Sequence, residues 1–225
     1  MPDAWSPLVS ADRTQVFFHQ YAHDFDAIYS NRGGLFNGIV NGLFRRSMKL
    51  RYLRTLAGCH PIEGRTVLDV GCGPGHYAIT LAQRGAAHVL GIDFAEGMLQ
   101  IASEHARAGG VGQRCEFRQA DFLQFKSSEP FDYVILMGFM DYMPAPRPII
   151  EKALSLARVK AFFSFPVAGG MLAWQRKIRY RSRCELYMYK RDQLRDMFSG
   201  FDGIHINIEP IARDFLVTAS ITERT

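Results

Sequence analysis

The segment Val67-Leu68-Asp69-Val70-Gly71-Cys72-Gly73-Pro74-Gly75 carries the clearest chemical signal in the chain. An apolar run ends in alternate glycines, which remove the Cβ atoms that would hold a ligand away from the backbone. The helix that should follow from about His76 presents unpaired amides able to receive a polar or anionic group. A tight strand-to-helix turn with no ligand has the same local pattern, so partners elsewhere in the chain must decide. The dinucleotide fingerprint G-x-G-x-x-G wants a glycine where this chain has His76, and a bulky residue there argues against a pyrophosphate pressed onto the helix. Asp93, about 20 residues beyond the turn, closes Gly91-Ile92-Asp93. A carboxylate at such a strand end can accept two hydrogen bonds from a sugar diol, or cap the helix that follows.

The elements that must position these groups follow from periodicity. Strands are expected over Thr66–Val70, His88–Asp93, Cys115–Ala120, Tyr133–Met140 and Lys160–Phe165, with helices over His76–Arg84, Ala95–Ala108 and Ile149–Ala157 between them. This alternation predicts βαβ units and a parallel sheet. After a helix at Lys190–Phe198, strands at His205–Ile211 and Phe215–Ile221 are separated only by Ala212, Arg213 and Asp214, too short a link for a crossover. The fold class expected is therefore α/β: a Rossmann-like, mostly parallel seven-stranded sheet with helices on both faces, closed by an antiparallel C-terminal edge hairpin. Upstream, Arg13–Tyr29 reads as an unusually aromatic helix. A second helix over Leu35–Ala57 gathers Phe36, Ile39, Val40, Leu43, Phe44, Leu50, Leu53 and Leu56 roughly on one side. The division expected is a helical cap over residues 1–60 and one ligand-binding domain over 61–225.

With 225 residues, 48% hydrophobic and 22% charged, the chain has the composition of an ordinary globular protein with room for a full core. No apolar run reaches the ~18 residues of a membrane span, and no secretory signal pattern is visible. Cys59, Cys72, Cys115 and Cys184 are scattered, without a C-x-x-C pair, so reduced thiols in a cytoplasmic protein are expected, with neither a disulfide framework nor a metal site. The net charge of +5 is local: residues 45–54 hold five Lys/Arg and no acid, and residues 176–195 hold eight against Glu185 and Asp192.

Val67–Gly75 resembles motif I of the class I S-adenosylmethionine-dependent methyltransferases, and the resemblance runs from about residue 65 to 221. It implies S-adenosyl-L-methionine as cofactor and S-adenosyl-L-homocysteine as product. Gly71, Gly73 and Gly75 would then lie beneath the methionine part, with Asp69 and Cys72 as further cofactor-binding candidates. Asp93 would hold the ribose, Phe94 and Met98 would flank the adenine, Asp121 would receive its amino group, Phe122 would touch the base, and Met137 would line the cofactor at the end of the fourth strand. Met98 is equally read as a core residue. The family often has Ser two places after the ribose acid, where this chain has Ala95, a departure bearing more on helix capping than on binding. An N-terminal lid is common in the family, which makes Tyr21 and Tyr29 candidates for the sulfonium side.

The chemistry implied is in-line attack on an activated methyl carbon, in which the protein contributes alignment and exclusion of water. A base is needed only where the acceptor must lose a proton. Asp141 and Tyr142, just past the fourth strand, and Tyr21 are the catalytic candidates; a satisfied loop pair is the bland alternative. Trp174, Arg179 and Arg183, in a stretch loosely resembling tetrapyrrole carboxylate methyltransferases, are candidates for gripping a flat or anionic acceptor. A small-molecule substrate leads. Enzymes that methylate exocyclic base amines carry Asn/Asp-Pro-Pro-Tyr/Phe where this chain has Met137-Gly138-Phe139-Met140, which counts against nucleic acid. Action at a membrane surface, suggested by the basic helix over 35–57, stays open. So do a binding module without turnover, the acceptor atom and the oligomeric state.

Overall fold

The computed structural model describes residues 38–169 and 186–222. Seven strands form one sheet in the order β3-β2-β1-β4-β5-β7-β6: β1 Thr66–Val70, β2 His88–Asp93, β3 Cys115–Gln119, β4 Phe131–Leu136, β5 Ala157–Pro166, β6 Ile204–Ile211 and β7 Asp214–Ile221. The first five run parallel, while β7 pairs antiparallel to both β5 and β6. Every residue of β4 is buried, as a central parallel strand covered on both faces requires. The two edge strands instead alternate or lie exposed along much of their length.

Helices α1 Gly38–Gly58, α2 His76–Gln83 and α3 Glu96–Ala108 cover one face, whereas α4 Pro146–Ser155 and α5 Arg191–Phe198 cover the other. The period-2 alternation of the strands makes this division. Val67, Val89, Tyr133, Ile135 and Phe162 point towards the first layer, and Leu68, Leu90, Val134, Leu136 and Phe163 towards the second. Phe163, Phe165, Phe198 and Tyr189 stack at ring separations of 5.2–6.3 Å to fill the second core beside β5. Asp132 fixes the register at the opposite end of β1 and β4, accepting from the Thr66 amide at 2.8 Å and from Arg65 at 3.1 Å.

The expected hairpin is present and tighter than the sequence implied. Ile211 pairs with Asp214, leaving two turn residues, of which Ala212 takes a left-handed φ of 50°. β4 stops at Leu136 rather than running to Met140, because Gly138 turns the chain at φ 72° and Met140–Tyr142 forms a 3-10 turn.

Helix α1 departs from its expected amphipathic pattern. Leu53 is 46% exposed, and the residues that turn inward include Ser47, Met48, Thr55 and Leu56. Arg51 lies with them, its side chain only 12% exposed, so the basic run does not form one wet face. Tyr52 fastens the helix to α2 through a 2.6 Å bond with Thr80 and a 5.1 Å ring contact with Tyr77. Among the described residues no helix is long and apolar enough to cross a membrane.

Candidate functional site

The strand order reverses between β1 and β4, since β2 and β3 extend to one side and β5 to the other. An open parallel sheet has its ligand crevice outside the carboxyl ends of the strands at such a point. The glycine turn sits there, tied to the neighbouring strand by bonds from the Gly71 and Cys72 amides to the Ile92 carbonyl at 2.8 and 3.1 Å.

The glycines of this turn serve different ends, and all have positive φ. A Cβ on Gly71 would stand 2.9 Å from the Phe139 ring, and one on Gly75 would meet Ala102 and Phe117 at 3.0 and 3.1 Å. These positions are small because protein packs against them. A Cβ on Gly73 would meet nothing within 4 Å among the described residues. Gly73 therefore opens the turn onto free space, as a seat for a ligand requires. Gly91 on β2 is needed for packing: a side chain there would press on Phe117 at 2.7 Å and on the Cys72 sulfur at 2.9 Å.

Two buried carboxylates flank the turn. Asp93 accepts from the Gly73 amide through Oδ2 and from the Ala95 amide through Oδ1, both at 2.9 Å. Each carboxylate oxygen has a second lone pair, so the cradle still has acceptor capacity for a diol. Burial raises the Asp93 carboxyl above its ordinary range, against the opposing pull of the Ala95, Gly73 and Phe94 amides. Asp69 is more deeply enclosed. Burial pushes it up to about 7, the Ala78 amide at the start of α2 pulls down, and the Asp93 charge adds a further rise. Its Oδ2 is buried with no hydrogen-bond partner among the described residues. An orphaned carboxylate oxygen beside an open glycine turn suits an ammonium. Cys72 closes this side; burial, then the charges of Asp69 and Asp93, hold its thiol well above the usual range, so it remains an inert thiol.

The remaining candidates are less closely gathered. Phe94 is half-buried at the end of β2, whereas Met98 is enclosed in a small cluster with Ala95. Asp121 is exposed and caps its own turn through a 2.8 Å bond from the Leu123 amide. Phe122 is buried against Phe139 at 6.2 Å, with the Lys152 ammonium above its ring. The sulfur of Met137 accepts from the Thr55 hydroxyl at 3.7 Å, so this side chain turns towards α1. Asp141 is buried on the 3-10 turn and Tyr142 half-buried; the Asp141 carbonyl accepts from the Tyr187 amide at 2.9 Å. The Asp141 charge also acts on Tyr189, whose hydroxyl is pushed up to about 12 by burial first, then by Asp141 and Tyr187. Tyr21, Tyr29, Trp174, Arg179 and Arg183 lie outside the described residues. No cluster of His, Cys, Asp and Glu able to hold a metal occurs among the described residues.

Sequence reasoning missed Arg51, reading it as part of a basic helix. Its guanidinium reaches the ends of β4 and β5: Nη1 donates to the Ser164 hydroxyl at 3.3 Å, and Nη2 lies 3.6 Å from where a Cβ on Gly138 would stand. The helical spacing Ser47, Arg51, Thr55 is visible in the sequence, but nothing local shows that this stripe faces inward.

Residues 62–167 match a family described as a methyltransferase domain. The ubiquinone biosynthesis O-methyltransferase of Neisseria meningitidis serogroup C is 38% identical over 99 residues, covering 43% of this chain and 41% of that protein. That of Leptothrix cholodnii is 35% identical over 113 residues, covering 49% and 46%. The chain thus spans less than half the length of these curated relatives. Among solved structures, the magnesium protoporphyrin IX methyltransferase of Synechocystis PCC 6803 with bound S-adenosylhomocysteine superimposes with a TM-score of 0.77 at 23% identity, over 94% of this chain and 100% of that one. This last likeness is one of fold. Glycine turn, flanking acids and strand order agree with the match of residues 62–167 to a methyltransferase domain, and the fold is that of a methyltransferase solved with S-adenosylhomocysteine bound.

Proposed function

We propose that the protein transfers a methyl group from S-adenosylmethionine to an oxygen of a small-molecule acceptor. The observation that carries this reading is the open turn at Gly73 beside the cradled Asp93 carboxylate. Asp93 would hold the ribose hydroxyls, Asp69 the amino group, Arg51 the carboxylate of the amino-acid tail, and Asp121 the adenine edge. The cofactor, when bound, supplies a methyl group already activated as a sulfonium. The protein's part is then to hold the acceptor in line, exclude water and, for a hydroxyl acceptor, take a proton. Asp141 and Tyr142 stand just past β4 at this crevice, where either would receive that proton. Tyr21 and Tyr29 belong to the proposed cap over residues 1–60, and Trp174, Arg179 and Arg183 to the acceptor side. The oxygen acceptor is supported by the names of the curated relatives, which also make a quinone precursor a reasonable first substrate to try.

The test is incubation with methyl-labelled S-adenosylmethionine, phenolic quinone precursors, tetrapyrrole carboxylates and RNA in separate reactions. Label in a small-molecule ether or ester is expected. Label in RNA alone, or binding without transfer to any extract fraction, would contradict the reading. Action at a membrane surface is a second reading, favoured by exposed Leu53 between Arg46, Lys49 and Arg54 on α1. Co-sedimentation with anionic vesicles, abolished by Leu53→Asp, would support it, and equal recovery without vesicles would remove it.

A further inference from the structure

The inward face of α1 carries Ser47, Arg51 and Thr55 beside Met48 and Leu56, although packing alone would favour apolar residues throughout. The Ser47 hydroxyl donates to Asp214 Oδ2 at 2.9 Å and also lies 3.3 Å from the Ile211 carbonyl. The same Asp214 oxygen is 3.7 Å from Arg51 Nη1, with the two side chains only 8% and 12% exposed. Ser164, buried on β5, accepts from Arg51 and, at 2.7 Å, from the Gly138 amide. Enclosing an ion pair costs desolvation that its own attraction seldom outweighs, so stability gives little reason for this arrangement. What it does achieve is geometric. Asp214, itself held by the Ser47 hydroxyl, meets the guanidinium from the β7 side and Ser164 from the β5 side, while Nη2 lies beside Gly138 on the far side of the turn from Asp93.

These positions form a line across the strand ends: Asp93 on β2, the glycine turn after β1, then Gly138 after β4 with Arg51 above it. From β2 to β4 is two strand spacings, about 10 Å. A nucleoside bearing an extended amino-acid tail has that order of length from its sugar to its carboxylate. We propose that Asp214 and Ser47 are positioning residues: they fix the Arg51 guanidinium for the carboxylate end of the cofactor and do not touch the cofactor themselves. This rests on the cofactor reading given above. Holding the guanidinium before the ligand arrives removes the side-chain ordering that binding would otherwise cost. With Asp214 replaced by a neutral residue, the buried cation would lose this counter-charge and be drawn towards water.

The test compares two ligands by calorimetric titration of the full chain. S-adenosylhomocysteine carries the amino-acid tail, whereas 5′-methylthioadenosine keeps the nucleoside and thioether without it. Asp214→Asn should weaken S-adenosylhomocysteine ~10-fold or more, as expected for a disturbed bond to a charged group, and change 5′-methylthioadenosine by less than ~2-fold. Ser47→Ala, the milder change, should show the same selectivity at ~3-fold and carries the test should Asp214→Asn fail to fold. Arg51→Lys combined with Asp214→Asn should bind no more weakly than Arg51→Lys alone, because the effect of Asp214 runs through Arg51. Equal weakening of both ligands in both variants would show a merely structural role and overturn the proposal. So would unchanged affinity for S-adenosylhomocysteine in a folded Asp214→Asn, with the cofactor reading left standing. A wild-type chain that binds neither ligand would remove that reading and the proposal together.

Discussion

The two ends of the same parallel strands are built differently. At the carboxyl ends Asp69, Asp93, Asp141 and Asp214 are all buried, Asp93 rests on backbone amides, and one Asp69 oxygen has no partner among the described residues. At the amino ends a cleft of about 610 Å³, lined by Thr66, His88, Glu116, Arg118, Glu129 and Arg158 among others, is equally charged. Its charges, however, are exposed, and apart from Lys126 they are matched: Arg158 meets Glu129 at 2.6 Å, and Glu116 meets Arg118 at 2.6 Å and His88 at 3.5 Å. Charge by itself does not mark a site. Burial without full compensation does, because it leaves free energy that a ligand of the right charge can recover.

The largest effect is expected from filling Gly73, the open glycine of the turn. Gly73→Val places a branched side chain at φ 51° and in the space proposed for the ligand, and should lower S-adenosylhomocysteine affinity by ~3 kcal/mol or more in calorimetric titration. Stability should fall by only ~1–2 kcal/mol, the cost of a side chain in the left-handed region. Near-normal affinity would mean that the turn does not seat the cofactor.

Asp93→Ala should cost ~1–3 kcal/mol of cofactor affinity, the range for lost buried hydrogen bonds. Some destabilisation should accompany it, since the Gly73 and Ala95 amides lose their acceptor. Unchanged affinity in a folded variant would take Asp93 out of the site.

Asp69 sharpens the contrast through pH. Its native carboxyl is raised from 3.8 to about 7, so its protonated form is favoured on folding. Its contribution to stability is present below the unfolded value and is lost as pH rises from 3.8 through about 7. A cofactor ammonium beside it would favour the ionised form. Affinity should therefore rise up to ~10-fold per pH unit approaching about 7 from below and level off above, with proton release on binding. Asp69→Asn should abolish that slope; a slope unchanged in this variant would assign it to another group.

The smallest effect is expected at the other end. Arg158→Ala breaks an exposed pair and should alter stability by less than ~0.5 kcal/mol and cofactor affinity not at all. A clear loss of affinity would show that the amino-end cleft matters to the site after all.

Much of this organisation was legible in the sequence because it is local. Apolar runs of five or six residues marked the buried strands, the glycines marked the turn, and the short link after Ile211 allowed only a hairpin. Asp93 stood out because it closes a strand beside that turn, and Asp69 because it falls within the motif that carries the family resemblance. Gly138 was present as a stop signal within the fourth strand, yet the apolar run continuing through Met140 outweighed it. What stayed hidden was nonlocal. Nothing near Arg51 shows that Asp214, 163 positions away, would meet it, and a helix with Arg46, Lys49, Arg51 and Arg54 naturally reads as a wet face. Burial separates these four residues, and burial is decided by the sheet beneath them.

The most direct measurement is a crystal structure with S-adenosylhomocysteine bound. The sugar should rest on Asp93, the thioether chain over Gly73 and the carboxylate at Arg51. Density for the nucleoside in the cleft between Thr66 and Arg158, or a turn closed by its own neighbours with the ligand elsewhere, would contradict the assignment of the carboxyl-end crevice.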